Sequence, residues 1–140
     1  MLKLKSHKDL DRYIYSEVIV PMKKMHLPTL NISSPVQYRD YPVQLTVHAS
    51  EVSYANLRHN YERRIARDKA KTLVSMTVGG YSYTVAEYDS AKSHSVRIFQ
   101  GDLNRRGHAE LGVVISRLEK MFKMHTPFTK VTVLKEAYRG

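Results

Sequence analysis

Two stretches of alternating apolar and polar residues meet at the dipeptide Gly79-Gly80. Alternation with a period of two is typical of a strand that buries one face, and two glycines between such strands suit a tight turn with positive φ. The pattern therefore predicts a β-hairpin and, with it, an antiparallel sheet. The alternating apolar positions are Val74, Met76 and Val78 before the turn and Tyr81, Tyr83 and Val85 after it.

The first part of the chain, residues 7–25, has the three- and four-residue apolar spacing of an amphipathic helix. Ser6 is positioned to cap this helix, and Asp9 suits its positively polarised N-terminus. Pro21 is expected to kink or stop the helix near Val20, and the β-branched run at 18–20 leaves a strand as the alternative. The apolar stripe consists of Leu10, Tyr13, Ile14, Val18 and Met22.

Apolar periodicity predicts the remaining elements in the same way. Residues 27–42 contain three prolines and are predicted to form an extended connector, holding either a functional loop or a short strand. The later elements are a strand at 43–48, a helix at 51–71, the hairpin, a strand at 94–100, a helix at 104–125 and a strand at 129–134. The last helix has an apolar face formed by Leu111, Val114, Ile115, Leu118, Met121 and Phe122.

This order of elements predicts an α+β fold in two layers, with helices packed on one face of a mainly antiparallel sheet. We expect residues 1–140 to form a single basic domain. Within it, residues 1–42 form the N-terminal helix and the proline-containing connector, and residues 43–140 form the sheet and helix core.

The charge balance is strongly positive, with 23 Lys and Arg against 13 Asp and Glu and a net charge of +10. The chain has no cysteine, which excludes disulfides, thiolate nucleophiles and cysteine-bound zinc or iron–sulfur clusters. No apolar run approaches the roughly 18 residues of a membrane span or the pattern of a signal peptide. We therefore expect a cytoplasmic protein whose partner is nucleic acid or an acidic protein surface, with no membrane partner and no cofactor.

Basic residues are densest in the predicted helix at 51–71. Spacings of four place Arg63, Arg67 and Lys71 on one helical face, opposite the apolar stripe. Such a face suits contact with phosphates, although a solvated surface helix has the same pattern. The candidate residues of this segment are Arg58, Arg63, Arg64, Arg67 and Lys71.

A second basic group, Arg105 and Arg106, lies where the last helix is predicted to begin. Free backbone N–H groups at a helix N-terminus bind anions, whereas two arginines there oppose the helix dipole, and this small cost indicates a role in binding. The alternative is that both side chains simply extend into solvent. Arg117, Lys120 and Lys123 follow at spacings of three and extend the predicted basic surface, with Lys120 as a further candidate contact.

The order helix, three strands, helix between residues 51 and 124 is similar to that of double-stranded RNA-binding domains, which also place basic residues at the start of their second helix. Arg105 and Arg106 are the positions that match this feature. The similarity implies RNA, rather than DNA, as the favoured ligand.

Aromatic residues cluster around the hairpin: Tyr81, Tyr83, Tyr88 and, on the next strand, Phe99. Aromatic rings on an exposed sheet face stack on single-stranded bases. Because Tyr81 and Tyr83 are in phase with Val85, however, this face is predicted to be the buried one, with the hydroxyl groups at the rim.

Histidines suggest one catalytic alternative. His48-Ala49-Ser50 resembles the His-x-Ser motif of two-histidine phosphoesterases, and His94 begins another strand, although its serine comes one residue too early. Two facing histidines act as general acid and base in phosphodiester cleavage. No histidine pair has the spacing of a helical metal site, so no metal is expected.

The sequence thus favours a non-catalytic nucleic-acid-binding protein that contacts the phosphate backbone through a basic helix face. An inhibitor or accessory factor that binds an acidic protein, of the kind that viruses and mobile elements encode, uses the same basic face and remains an alternative. A metal-independent ribonuclease using His48 and His94 is the second alternative.

Overall fold

The computed structural model describes residues 1–23, 31–48, 71–89, 95–126, 128 and 130–139. Its strands are β1 (Leu2–Leu4), β2 (Asn31–Ile32), β3 (Val36–Tyr38), β4 (Tyr41–Val47), β5 (Lys71–Val78), β6 (Tyr81–Asp89), β7 (Ser95–Phe99) and β8 (Lys130–Leu134). Its helices are α1 (His7–Ile14), α2 (Val20–Lys23), α3 (Gly101–Arg105) and α4 (Gly112–His125). A π-helical segment (Tyr15–Ile19) joins α1 to α2, and a 3₁₀ turn (Ala109–Leu111) precedes α4.

The strands form one mixed, mostly antiparallel sheet in the order β1-β3-β4-β5-β6-β7-β8, with β2 paired to β4. The two outermost pairs, β1 with β3 and β7 with β8, are parallel. The α+β fold is therefore confirmed. In β4, Val43, Leu45 and Val47 are buried, and they belong to the same apolar cluster as the buried faces of α1 and α4. None of the helices in the described ranges is long and apolar enough to cross a membrane.

The hairpin at Gly79-Gly80 is confirmed, with Val78 opposite Tyr81 in the register of β5 and β6. Gly79 has φ of +59°, but Gly80 does not adopt a positive φ, so only one glycine needs its conformational freedom. Tyr83 and Val85 are buried as expected. Tyr81 is 48% exposed instead, because it is the first residue of β6 and lies at the end of the sheet.

The N-terminal helix begins as predicted, with the Ser6 hydroxyl accepting a hydrogen bond from the Asp9 N–H. Pro21 does not end it, and the strand alternative at 18–20 is wrong. Proline cannot donate to the carbonyl four residues earlier, here that of Glu17. The wider π-helical turn accommodates the proline, and the Asn31 side-chain amide donates to the Glu17 carbonyl at 3.5 Å.

The connector contains β2 and β3, which confirms the short-strand alternative, while β1 was not predicted. Ser33 fixes this region to the core. Its buried hydroxyl group shares a hydrogen bond of 2.6 Å with the Tyr13 hydroxyl and accepts one of 2.9 Å from the Leu45 N–H. Tyr13 also donates to the Ser34 carbonyl, so the connector is tied to both α1 and β4.

The predicted helix at 104–125 is two helices, α3 and α4, although all six predicted apolar residues of its face are buried. Gly107 has φ of +76° and ends α3 in a Schellman motif, in which the His108 N–H donates to the Leu103 carbonyl and the Gly107 N–H to that of Asn104. Gly112 is consequently the first residue of α4 and not an interior helix position.

Candidate functional site

One end of the sheet brings together the turn between β3 and β4, the turn between β5 and β6, and the loop between α3 and α4. Three tyrosine rings surround His108 there, with ring centroids 5.4 Å away for Tyr41, 6.3 Å for Tyr81 and 5.9 Å for Tyr83. The Tyr83 hydroxyl and His108 Nδ1 share a hydrogen bond of 2.9 Å. These four residues with Arg106 are named the His108 cluster.

Local backbone geometry places His108 and Arg106 at this cluster. Arg106 is the C-cap of α3, and the left-handed Gly107 turns the chain so that His108 is directed back over the helix end. The strand pairing places two tyrosines in the cluster, because Tyr41 begins β4 and Tyr81 begins β6 at the same end of the sheet. The cluster therefore depends on three segments that are far apart in the chain.

Arg106 lies over the ring of Tyr81, with its guanidinium carbon 4.5 Å from the ring centroid. This is a close cation–π distance. Arg105 and Arg106 are both exposed, and neither lies within ion-pair distance of a carboxylate among the described residues. The arrangement therefore places a half-exposed aromatic ring beside the Arg106 guanidinium, which no carboxylate of the described residues neutralises.

Tyr83 is the buried support of the cluster. Burial raises the pKa of its phenol, and the charge of Asp102 acts in the same direction, while Arg106 opposes both. The phenol is therefore neutral at physiological pH and keeps its hydroxyl for the hydrogen bond with His108. That bond fixes the position of the loop that carries Arg106.

The predicted position of Arg105 and Arg106 at a helix N-terminus is wrong. Arg105 is in the last turn of α3 and Arg106 caps its C-terminus, because Gly107 ends the helix. Cations at a helix C-terminus are favoured by the dipole, so the inferred electrostatic cost does not exist. The similarity to double-stranded RNA-binding domains loses its matching residues for the same reason.

The cations of α4 are engaged by carboxylates. Both Asp11 carboxylate oxygens accept hydrogen bonds from the Arg117 guanidinium, and Lys120 Nζ lies 3.9 Å from Asp11 Oδ2. Lys123 pairs with Glu119 one turn earlier at 3.1 Å. Arg117 thus joins α4 to α1, and the predicted basic continuation along α4 is largely neutralised.

Of the basic segment at 58–71, the structure describes Lys71 alone. Arg58, Arg63, Arg64 and Arg67 lie outside the described residues. Lys71 is the first residue of β5, so the prediction that it shares a helical face with Arg63 and Arg67 is wrong. Lys71 is in a strand and not in a helix, since it pairs with Tyr88 in the sheet.

His94, one of the two catalytic candidates, lies outside the described residues. His48 is half-buried just after β4, and its Nε2 shares a hydrogen bond of 3.1 Å with the Ser75 hydroxyl. Within the described ranges, no three histidine or acidic side chains form a group that could hold a metal ion.

The other predicted aromatic residues belong to the interior. Tyr88 packs on Phe128 and Phe99 packs on Tyr138, and both Tyr88 and Phe99 are buried. Tyr81 is the exception. No sequence spacing connects residues 41, 81 and 108, so the cluster as a unit was not predicted, although Arg106 and Tyr81 were each named.

Family models, curated proteins and solved structures yield no match to this chain.

Proposed function

We propose that the protein binds single-stranded nucleic acid at the His108 cluster without catalysis. The observation that carries this proposal is the contact between the Arg106 guanidinium and the half-exposed ring of Tyr81. An aromatic ring stacks on any base, and a neighbouring arginine binds the phosphate that follows the base. Neither the stacking contact nor the phosphate contact requires a particular base sequence.

The charge of the chain supports the proposal. A net charge of +10 attracts a polyanion, and the release of counterions from its phosphates drives binding. Arg105 and Arg106 are suited to this role because no carboxylate of the described residues neutralises them. Arg117 and Lys123 lack this property, since their partners are Asp11 and Glu119.

Fluorescence anisotropy with labelled octanucleotides of uridine and of thymidine tests the proposal. Base stacking on an aromatic side chain is worth about 1–3 kcal/mol, so Tyr81→Ala is expected to weaken binding by roughly 5- to 150-fold. Tyr81→Phe keeps the ring and is expected to bind like the wild type. Arg106→Ala is expected to weaken binding and to reduce its salt dependence.

Lys123→Ala is the matched control for Arg106→Ala, because it removes one exposed cation that already has a carboxylate partner. Equal losses in both variants would show that only the overall charge matters and would contradict a site at Tyr81.

A quadruple glutamate variant of Arg58, Arg63, Arg64 and Arg67 tests the helix face that the sequence favoured. Loss of binding in this variant, together with unchanged binding in Tyr81→Ala, would place the interface elsewhere and overturn the proposal. Failure of the wild-type protein to bind either octanucleotide would also overturn it, and would favour an acidic protein as the partner.

A further inference from the structure

A basic pocket of about 430 Å³ lies at the same end of the sheet as the His108 cluster. Its basic lining residues are Lys3, Lys5, His7 and Arg39, all of which are exposed. They come from β1, from the start of α1 and from the turn between β3 and β4. The pocket is therefore formed by three elements and was not apparent from the sequence.

Strand register explains why these cations converge. The parallel pairing of β1 with β3 places Leu4 opposite Tyr38, so the residues that follow, Lys5 and Arg39, leave the sheet side by side. Arg39 has φ of +54°, the left-handed conformation, and its guanidinium carbon lies 5.7 Å from the centroid of the Tyr38 ring.

The cations of the pocket form no ion pair with a carboxylate among the described residues. Within the described part of the chain, no carboxylate lies at ion-pair distance from Lys3, Lys5 or Arg39. Asp9 is the nearby acid on α1, but its Oδ2 accepts from the backbone N–H of Lys5 and does not pair with the ammonium group. Three like charges around one concavity repel one another unless an anion lies between them.

The pocket and the His108 cluster lie along one edge of the molecule. Antiparallel pairing places the start of β4, the end of β5 and the start of β6 at the same end of the sheet as the end of β1. Four interstrand spacings of about 4.8 Å separate β1 from β6, so the distance is about 19 Å. About six stacked nucleotides at ~3.4 Å each cover it.

We propose that the pocket formed by Lys3, Lys5, His7 and Arg39 binds a backbone phosphate of the same nucleic-acid strand whose base stacks on Tyr81. This inference rests on the proposed function. It adds a second contact on the strand and gives the strand a path across the end of the sheet, from β6 to β1.

The double variant Lys5→Ala/Arg39→Gly tests this inference with the same octanucleotides. Glycine at residue 39 relieves the left-handed backbone, so the variant removes two cations without straining the turn. Each phosphate contact of a single strand contributes about 0.7 to the slope of log K against log salt concentration, so loss of the one phosphate contact in the pocket is expected to decrease the slope by about 0.7. Affinity is expected to fall at least tenfold.

Two further variants provide the controls. Lys130→Ala removes one exposed cation from β8 at the opposite end of the sheet, and its slope is expected to match that of the wild type. Lys5→Arg/Arg39→Lys keeps both charges, and binding is expected to be retained. If Lys5→Arg/Arg39→Lys loses as much affinity as Lys5→Ala/Arg39→Gly, the charges of Lys5 and Arg39 do not account for binding and the inference is overturned.

Octanucleotides with a 5′-hydroxyl and with a 5′-phosphate distinguish the sources of the phosphate. An equal loss for both supports a backbone phosphate, whereas a loss confined to the phosphorylated strand would overturn the inference in favour of a terminal phosphate. If Tyr81→Ala weakens binding while Lys5→Ala/Arg39→Gly changes neither affinity nor slope, the inference fails and the proposed function remains. If Tyr81→Ala has no effect, the proposed function itself fails.

Discussion

The Asp11 carboxylate on α1 accepts two hydrogen bonds from the guanidinium of Arg117 on α4, 106 residues later in the chain. Both side chains are about four-fifths buried, so this pair is shielded from solvent more than most surface ion pairs. Its planar, two-bonded geometry fixes the position of one helix against the other. Arg117 is therefore assigned to helix packing and not to ligand binding.

The hydrogen bond from Arg117 lowers the pKa of Asp11 below its usual value of 3.8. A lowered pKa in the folded state means that the pair stabilises the protein fully above this usual value and that the contribution is lost as the pH falls through the lower, folded pKa. At pH 7, Asp11→Asn is expected to reduce the free energy of unfolding by about 1–2 kcal/mol.

Melting temperatures measured from pH 7 to pH 2 check this expectation. The difference between wild type and Asp11→Asn should narrow below about pH 4, because the wild-type carboxyl group becomes protonated there. Glu119→Gln serves as the comparison, since an exposed helical pair is worth only about 0.3–0.5 kcal/mol. A difference for Asp11→Asn that stays constant to pH 2 would contradict the assignment.

The two glycines of the hairpin are expected to respond differently to substitution. A Cβ at either residue would meet no other atom within 4 Å, so any effect of alanine is conformational. Gly79→Ala is expected to cost about 1–2 kcal/mol because φ is positive, and Gly80→Ala is expected to be nearly neutral. Urea denaturation measures both, and equal costs would show that the turn has a different geometry.

Gly101 and Gly112 form a second pair of contrasting sites. A Cβ on Gly101 would clash with the backbone of Glu136 and Ala137, whose segment also accepts the Gly101 N–H. Gly101→Ala is therefore expected to lower the free energy of unfolding by about 1–3 kcal/mol or more. Gly112 has open space around it and a helical conformation. Gly112→Ala is therefore expected to increase the free energy of unfolding by about 0.4–1 kcal/mol. A neutral Gly101→Ala would mean that the chain after β8 moves easily.

Arg39 offers a test of backbone strain that is independent of ligand binding. Its left-handed φ costs an L-residue about 1–2 kcal/mol, and glycine removes this cost at the expense of greater freedom in the unfolded chain. The melting temperature of Arg39→Gly is therefore expected to equal or exceed that of the wild type. A clear decrease would show that the Arg39 side chain stabilises the fold through its contact with Tyr38.

Several features of the fold could be read from short stretches of the chain because their causes are local. Gly79 permits the hairpin turn, Ser6 caps α1 through a residue three positions away, and the spacing of Leu111 to Phe122 selects the buried face of α4. These features depend on φ, on capping and on periodicity, all of which act over a few residues.

Other features depend on residues that are distant in the chain. The Asn31 side chain donates to the carbonyl of Glu17, the residue four positions before Pro21, and β1 exists because β3 provides its hydrogen-bonding partner. Periodicity alone gave no reason to expect either arrangement. A three-residue strand such as β1 is too short to show a pattern of its own.

In the candidate site, too, some properties follow from the residue type and others depend on residues that are distant in the chain. Arg106 and Arg117 are equivalent in residue type, and the sequence predicts one basic surface that contains both. Tertiary packing places the carboxylate of Asp11 beside Arg117 and the exposed ring of Tyr81 beside Arg106. The charge of a side chain is a property of its residue type, but whether that charge is neutralised by a carboxylate or left available for a ligand depends on which distant residue the fold brings next to it.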